Sequence, residues 1–221
     1  MTIELVAFDV AGTTFNDNGL VITSFQNAFK RSEPELWSRK ANELTQYAID
    51  TMGQSKIEVF TAILGDVERA RRAVEEFEDA YFDLVTIEGI TPISGAEDSI
   101  RNLRSRGVKI ALTTGFSRKT LDLILMKAHW EALVDFTITP MEAGAGRPSP
   151  MMLEKCREDL KISKSQAVVV VGDTMADMQA GAAFGAHAVV GVLTGTHTES
   201  QLRSAGATSV IHSVADISSL I

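Results

Sequence analysis

The hydrophobic positions follow two different patterns in two parts of the chain. In residues 1–15 and about 90–221, short runs of apolar, often β-branched residues alternate with segments of helical periodicity. Continuous apolar runs are typical of strands that are buried on both faces of a parallel sheet. The alternation therefore predicts an open, doubly wound, mostly parallel α/β fold. The runs are residues 5–8, 108–112, 167–171 and 188–192.

Capping signals predict where helices begin between these runs. Ser94 and Glu97 have the spacing of a capping box, and Ser117 precedes a helical pattern that carries Leu121 and Leu125. A serine side chain at such a position can accept a hydrogen bond from a free amide of the first helical turn. Helices are therefore predicted directly after residues 94 and 117.

Residues 17–88 show helical periodicity without a convincing strand. Ser32 and Ser55, each followed three residues later by Glu, indicate two helix starts. From Val67 onward, apolar residues recur at steps of three and four, with Glu and Arg between them. We interpret this stripe as the core of a helical bundle rather than as a partner-binding face. The segment is predicted to be a helical module inserted between the first two strands.

Composition narrows the classes of partner. The formal net charge of −8 disfavours nucleic acid, whose phosphates would be repelled. It does not disfavour a small anionic substrate, because a metal ion or an arginine can reverse the field inside one pocket. No apolar run approaches the roughly 20 residues needed to cross a bilayer. Cys156 is the single cysteine, so no intrachain disulfide can form. We expect a cytoplasmic protein without a membrane partner.

Chemically versatile side chains follow the apolar runs. Ligands of open α/β sheets gather at the carboxyl ends of the strands, so these side chains are expected to lie on one rim. Each one alone has a structural explanation, since an Asp after a strand is often a helix N-cap. Their occurrence together favours a functional site. They are Asp9 after the first run, Thr113 and Thr114 after the second, Asp173 after the third, and Arg147 before the third.

These residue types suit the hydrolysis of a bond to phosphorus. Asp9 and Asp173 would repel each other unless a cation lies between them, and hard oxygen ligands favour Mg²⁺. The metal would attract an anionic phosphoryl or phosphonyl group, which leaves Asp9 to attack phosphorus. Thr114 could donate a hydrogen bond to a non-bridging oxygen, and Arg147 could neutralise charge that develops during transfer.

Two further residues complete the predicted site. Gly12 would allow a sharp turn beneath the substrate, where neighbouring amides could contact its oxygens. Asp177 lies four residues after Asp173, so the two would face the same side of the following helix. Asp177 is predicted to hold a metal-bound water or to orient Asp173.

The motifs that contain these residues resemble the four ordered motifs of the haloacid dehalogenase superfamily. They are DVAGT from Asp9, TTG from Thr113, GRPSP from Gly146 and GDTMAD from Gly172. The resemblance covers the whole chain, since residues 17–88 lie where that superfamily places a helical cap. It implies a Rossmann-like core (residues 1–16 and 89–221) and a C1-type cap (residues 17–88). It also implies an aspartyl-phosphate at Asp9 and a Mg²⁺ site formed by Asp9, Ala11 and Asp173.

Two departures from the common motifs resemble the phosphonatase branch, which cleaves the phosphorus–carbon bond of phosphonoacetaldehyde. Most phosphatases of the superfamily have an acidic residue where this chain has Ala11, and a lysine where it has Arg147. The branch also has a cap lysine that forms a Schiff base with the aldehyde. The segment MGQSKI, which contains Met52 and Lys56, resembles the motif around that lysine. Val59 differs, because phosphonatases usually have a histidine there.

Physical chemistry supports the same interpretation of Lys56. The helix dipole disfavours a cation in the first turn by about 0.3–1 kcal/mol, and burial would lower the pKa of the amine further. A neutral amine is the form that condenses with an aldehyde. An imine would accept the electrons of the carbon leaving group, so no acid would be needed at Ala11. The alternative is that Lys56 is a solvated surface residue.

The sequence therefore predicts hydrolysis of a phosphonoacetaldehyde-like phosphonate. A phosphatase of a small phosphate monoester, of the phosphoglycolate type, is the alternative, and a non-catalytic phosphate-binding module is disfavoured by the intact GDTMAD motif. Related enzymes often pair through their caps, so a homodimer of this kind is an open expectation. The predicted catalytic residues are Asp9, Lys56, Thr114 and Arg147, and the predicted substrate-binding residues are Gly12, Thr13, Met52 and Gly115.

Overall fold

The computed structural model describes residues 2–221 and contains a sheet of six parallel strands. The strand order is β3-β2-β1-β4-β5-β6, so β1 lies between β2 and β4. The order reverses at β1, and ligands of open α/β sheets bind outside the carboxyl ends of the strands at such a point. The strands are β1 (Leu5–Asp9), β2 (Lys109–Thr113), β3 (Phe136–Ile138), β4 (Val168–Gly172), β5 (Ala188–Val192) and β6 (Ser209–Ile211).

The helices fall into two groups. The first four follow one another directly after β1, and the others lie before β2 or between and after the later strands. The first group is α1 (Leu20–Ser32), α2 (Pro34–Asp50), α3 (Lys56–Leu64) and α4 (Val67–Glu88), and the second group is α5 (Ala96–Ser105), α6 (Arg118–Ala128), α7 (Pro140–Ala143), α8 (Met151–Asp159), α9 (Met175–Phe184) and α10 (Glu199–Ser204). Two short 3₁₀ helices cover Ser165–Ala167 and Val214–Ser219.

The predicted α/β fold is confirmed, because the four apolar runs correspond to β1, β2, β4 and β5. Every residue of β1 and β4 is buried, as expected for strands covered on both faces. The edge strands β3 and β6 have three residues each and were not predicted, because they lack a continuous apolar run. Edge strands pack on fewer neighbours, so their sequences need less continuous hydrophobicity.

The capping predictions had mixed outcomes. Ser117 caps α6 and accepts a hydrogen bond from the Thr120 amide, as predicted. The capping box at Ser94 was wrong, because α5 begins at Ala96 after Gly95, which adopts a left-handed conformation that needs no side-chain cap. Near Ser32 the chain ends α1 and begins α2 with Pro34 in its first turn. Proline suits that position, since it has no amide to leave unpaired.

Aromatic residues form the centre of the helical segment α1–α4. The Phe25 and Phe60 rings stack at 5.0 Å, and the Phe29 and Phe60 ring centroids lie 5.3 Å apart. Phe77 of α4 is fully buried against the same cluster, which confirms the predicted apolar stripe of this helix. Neither these helices nor any other described helix is long and apolar enough to cross a membrane. The exact limits of the cap, residues 17–88, stay a prediction.

Candidate active site

The predicted site residues meet at the carboxyl ends of the central strands. Asp9 is the last residue of β1, Thr114 follows β2, and Asp173 follows β4. A pocket between these strand ends and the cap is lined by Asp9, Thr114 and Arg147 from the core. Ala11 and Gly115 complete its core side, and Met52 and Lys56 line it from the cap. Thus seven of the predicted site residues share one small cavity.

Two further buried carboxylates lie close to Asp9. Carboxylate oxygens of Asp9, Asp173 and Asp177 all lie within 4.8 Å of one another. Arg147 offsets part of their charge, because its Nη1 lies 2.7 Å from Asp9 Oδ1 and also contacts Asp177 Oδ1. Three carboxylates and one guanidinium leave net negative charge in a buried place. Hard oxygen donors with unbalanced negative charge fit a divalent cation such as Mg²⁺.

The hydrogen bonds of Asp173 keep its carboxylate in place. Oδ1 accepts from the Thr13 hydroxyl at 3.1 Å, and Oδ2 accepts from the Thr196 amide at 3.1 Å. Burial and the negative charge of Asp9 raise the pKa of Asp173 well above its ordinary value. Burial penalises an unpaired carboxylate, and a neighbouring like charge adds to that penalty. Thr13 is fully buried against Asp173, so its predicted role in substrate binding stays a prediction.

Asp177 is held within the first turn of α9. Its Oδ2 accepts from the Thr174 amide at 3.1 Å and from the Thr174 hydroxyl, while Oδ1 contacts Arg147. This reciprocal arrangement with Thr174 is a capping box. Asp177 therefore links the start of α9 to the guanidinium that contacts Asp9. Its predicted role, to orient Asp173 or to hold a metal-bound water, stays a prediction.

The turn after β5 was missed as part of the site. The Thr194 hydroxyl donates to the carbonyl of Gly12 at 2.7 Å, and the Thr196 amide reaches Asp173. A Cβ on Gly195 would overlap the Asp173 carboxylate, so a larger residue there would displace it. The same rule that located Asp173 points to this turn, because it follows the fourth apolar run at the same edge of the sheet.

The amine of Lys56 lies between aromatic rings. Lys56 is the first residue of α3, and its Nζ lies 5.5 Å from the centroid of Phe77 and 5.9 Å from that of Phe116. The residue as a whole is half-buried, but its amine is desolvated. This burial, reinforced by the charge of Arg147, lowers the pKa of Lys56 to about 8. Thus Lys56 is not a solvated surface residue.

Close backbone contacts bring the loop before Lys56 onto the core. Gly53 has φ +86°, and a Cβ on it would overlap the Thr174 side chain. A Cβ on Gly115 would lie 2.8 Å from the Gln54 carbonyl oxygen, and one on Gly146 would lie 2.7 Å from Ser55 Cβ. Glycines on both sides therefore allow an approach that any side chain would obstruct. This structure is a closed arrangement of cap and core.

Two carboxylates near Lys56 were not predicted from the sequence. Asp17 accepts a hydrogen bond from the Val21 amide at 3.1 Å, and burial raises its pKa. Glu78 of α4 is buried and accepts from the Ser117 hydroxyl at 2.5 Å and from the Thr120 hydroxyl. Both residues counteract the lowering of the Lys56 pKa. Their sequence signals are weak, because one lies in a linker and the other within a helix rich in Glu.

The four histidines are scattered without the spacing of metal ligands, and neither they nor Cys156 lies in the four motifs, so the sequence predicts no catalytic role for them. Cys156 is fully buried in the core, and burial raises the pKa of its thiol to about 12. His197 is also buried, next to the turn that contacts Asp173, and burial lowers its pKa. The absence of a catalytic role for His197 stays a prediction.

The chain is similar to known hydrolases along most of its length. The model of the haloacid dehalogenase-like hydrolases matches residues 3–185. A phosphonoacetaldehyde hydrolase of Bacillus mycoides is 31% identical over 214 residues, which covers 89% of this chain and 78% of that protein. Two solved structures share the fold but are below 25% identical.

The first of these structures is a phosphonoacetaldehyde hydrolase-like protein from Oleispira antarctica. It has a TM-score of 0.85 and 22% identity, and the match covers 100% of this chain and 91% of that one. The second is a predicted phosphoglycolate phosphatase from Haemophilus somnus, with a TM-score of 0.81, 15% identity and coverage of 100% and 98%. The two structures have different names, so the common fold alone does not assign a substrate.

Proposed function

The chain belongs to the haloacid dehalogenase-like hydrolase family, and we propose that it hydrolyses the phosphorus–carbon bond of a phosphonate with a carbonyl group next to the carbon that bears phosphorus. One observation carries the proposal, namely the desolvated amine of Lys56 in the same small pocket as Asp9. The Bacillus mycoides relative is named for phosphonoacetaldehyde hydrolysis and covers most of this chain, which supports the same substrate class.

The core residues would bind the phosphonyl group. The carboxylates of Asp9 and Asp173 and the backbone carbonyl of Ala11 would hold Mg²⁺, which supplies positive charge for the oxygens on phosphorus when bound. Thr114 Oγ1 already accepts a hydrogen bond from the Phe116 amide at 3.2 Å, which leaves its proton for a substrate oxygen. Arg147 would neutralise the remaining negative charge.

The cap residue Lys56 would activate the carbon side of the substrate. Its neutral amine adds to the carbonyl carbon, and loss of water leaves an imine that is then protonated. An oxygen of Asp9 forms a bond with phosphorus while the phosphorus–carbon bond breaks, and the electron pair of that bond passes into the iminium, which gives an enamine. This route needs no proton donor at the position of Ala11, where other family members place an acid.

Water completes the reaction. The enamine carbon takes up a proton, and hydrolysis of the resulting imine releases the carbonyl product and restores Lys56. A second water hydrolyses the acyl phosphate, which releases inorganic phosphate and restores Asp9. The closed contact of Gly53 with Thr174 supports exclusion of bulk water while the intermediates exist.

A phosphatase of a small phosphate monoester is the second candidate. Val59 favours it, because this position lacks the histidine that the phosphonatase branch usually has. The leaving alcohol would then need an acid, and Asp17, whose pKa is raised by burial and which interacts electrostatically with Lys56, is a candidate. Association of two copies through the cap stays a prediction under either function.

The decisive experiment measures phosphate release from phosphonoacetaldehyde with Mg²⁺, beside phosphate monoesters such as phosphoglycolate. Borohydride is added during turnover, and the modified peptide is identified by mass spectrometry. We expect release from the phosphonate and a reduced adduct on Lys56. Lys56→Arg should abolish both, because a guanidinium does not form an imine. Lys127→Arg, at an exposed position of α6, is the matched control and should change neither.

Release from monoesters alone, without an adduct, would establish the phosphatase and refute the Schiff base. Failure to release phosphate from any of these compounds, while Mg²⁺ still binds, would refute both candidates.

A further inference from the structure

A second, larger cavity begins on the other side of Lys56. It has a volume of about 560 Å³ and lies between helices α3 and α4 of the cap and the core segments 115–118 and 139–146. The pocket that contains Asp9 has a volume of about 30 Å³. Both are lined by Lys56, Gly115 and Phe116, so the two cavities adjoin at these residues.

The small pocket holds little more than the reacting atoms. A volume of about 30 Å³ has room for about two or three water molecules, whereas binding pockets for whole organic ligands measure roughly 300–1,000 Å³. Phosphorus must lie at Asp9, and the carbonyl carbon must lie at Lys56. A substituent on the far side of that carbonyl carbon therefore points away from Asp9, toward the larger cavity.

The walls of the larger cavity suit an uncharged chain. Ile57 and Val74 of the cap and Phe116 and Pro140 of the core present apolar surface. Arg118, Glu142 and Glu78 in this wall already have partners, whereas the exposed Glu58 forms no ion pair among the described residues. Arg118 and Glu142 form an ion pair at 2.7 Å, and Glu78 accepts hydrogen bonds from Ser117 and Thr120. An anionic substituent would find no free cation except Lys56, which the proposed imine uses, and a cationic one would meet only the exposed Glu58. An alkyl chain, by contrast, would be removed from water against the apolar residues.

We propose that this cavity binds the carbon chain of the substrate, so that the enzyme prefers 2-oxoalkyl phosphonates with an extended, uncharged chain beyond the carbonyl. The inference rests on the proposed function, because it places the carbonyl carbon at Lys56. The cap and the core each contribute one side of the chain-binding cavity. The preference for chain length therefore depends on the closed arrangement.

The test compares ketones, so that the carbonyl chemistry stays constant. Phosphate release with Mg²⁺ is measured for 2-oxopropyl-, 2-oxobutyl-, 2-oxopentyl- and 2-oxohexylphosphonate, with phosphonoacetaldehyde in parallel. Full burial of a methylene corresponds to about a fourfold gain in kcat/KM. We expect kcat/KM to rise at least tenfold from the 2-oxopropyl to the 2-oxohexyl compound.

Two variants fill the cavity from opposite walls. Val74→Phe acts from α4, and Ala145→Phe acts from the core segment, so that one remains informative if the other does not fold. Each should lower the ratio of long-chain to short-chain kcat/KM at least fivefold. Met126→Phe, at an exposed position of α6 outside the cavity, is the matched control and should leave the ratio unchanged.

The outcomes separate the two proposals. Turnover of phosphonoacetaldehyde with a flat or falling dependence on chain length would overturn the cavity inference and leave the proposed function standing. A ratio unaffected by both filling variants would also overturn it. The absence of turnover for every oxophosphonate, without an adduct on Lys56, would overturn both.

Discussion

The core and the cap hold their functional groups in different ways. In the core, Asp9 ends β1 and Asp173 directly follows the neighbouring parallel strand β4, so the backbone register brings them together. In the cap, Lys56 depends on packing between Phe77 and Phe116 and on contacts of its loop with the core. The core site is therefore set by the sheet, whereas the cap contribution exists only in the closed arrangement.

The comparison predicts the largest effect for Asp9, the proposed nucleophile in the core. Asp9→Asn should lower kcat for phosphate release by roughly 10⁴-fold or more, because removal of a nucleophile leaves only binding and charge stabilisation. Steady-state release of phosphate measures the change. Asp98→Asn, at an exposed position of α5, should retain full activity. Substantial turnover by Asp9→Asn would assign the nucleophile elsewhere.

Obstruction of closure should have the next largest effect. Gly53→Ala places a Cβ against Thr174 and strains a residue at φ +86°, so we expect kcat/KM to fall about 100-fold. Gly65→Ala is the matched control, since it has a similar φ of +65° but open space around it. It should cost about 1 kcal/mol in the free energy of unfolding and leave kcat/KM within twofold of wild type. Equal losses of kcat/KM in Gly53→Ala and Gly65→Ala would argue that catalysis does not require the closed contact of Gly53 with Thr174.

The pH dependence of activity should reflect the protonation state of the Lys56 amine. Because the pKa of Lys56 is lowered to about 8, its neutral form increases as pH rises through that value. Activity should fall about tenfold per pH unit below it, since imine formation requires the neutral amine. The folded state binds this proton less tightly than the unfolded state. Lys56 therefore destabilises the fold below about pH 8, and this cost disappears as pH approaches the ordinary lysine value.

The pH–rate profile of kcat/KM for phosphonoacetaldehyde measures this limb. The charges that act on Lys56 are Arg147, which lowers its pKa, and Glu78, Asp17 and Asp9, which raise it. An ascending limb near pH 10 would mean that the amine is solvated during catalysis.

The smallest effect is expected at the contact between Glu78 and α6. Glu78→Gln keeps an acceptor for Ser117 but weakens the charged hydrogen bonds, so unfolding should become easier by about 1–2 kcal/mol. We expect kcat/KM to fall about fivefold. Asp79→Asn removes a neighbouring ion pair with Lys119, which is exposed, and should change stability by less than about 0.5 kcal/mol. Thermal denaturation of both variants checks the difference.

The sequence predicted the core better than the cap for a physical reason. Buried parallel strands need continuous apolar runs, and the residues at their carboxyl ends share one edge of the sheet. The proximity of Asp9, Thr114 and Asp173 could therefore be predicted from the sequence alone. The position of Glu78 depends on the rotation and tilt of α4 against α6. Helical periodicity shows which face is buried, but it does not give the partner of that face.

The same limit explains the other omissions. Thr194 and Thr196 contribute through a hydroxyl and an amide to Gly12 and Asp173, and a backbone amide leaves no signal in a sequence. The larger cavity beyond Lys56 is formed by segments that are distant in sequence, 55–58 and 139–146 among them, so its volume depends on how they pack together. The short edge strands lacked the apolar run on which strand prediction depends.

The central place of β1 has a consequence for hydrogen exchange. Its amides are bonded within the sheet between β2 and β4, while β3 and β6 each have one neighbour. Local opening is easiest where few bonds and contacts must break, so the amides of the edge strands should exchange with deuterium first. The strand that carries Asp9 should exchange only in the global opening of the sheet. Partial fraying of β3 or β6 would then leave the carboxylate of Asp9 in its native position.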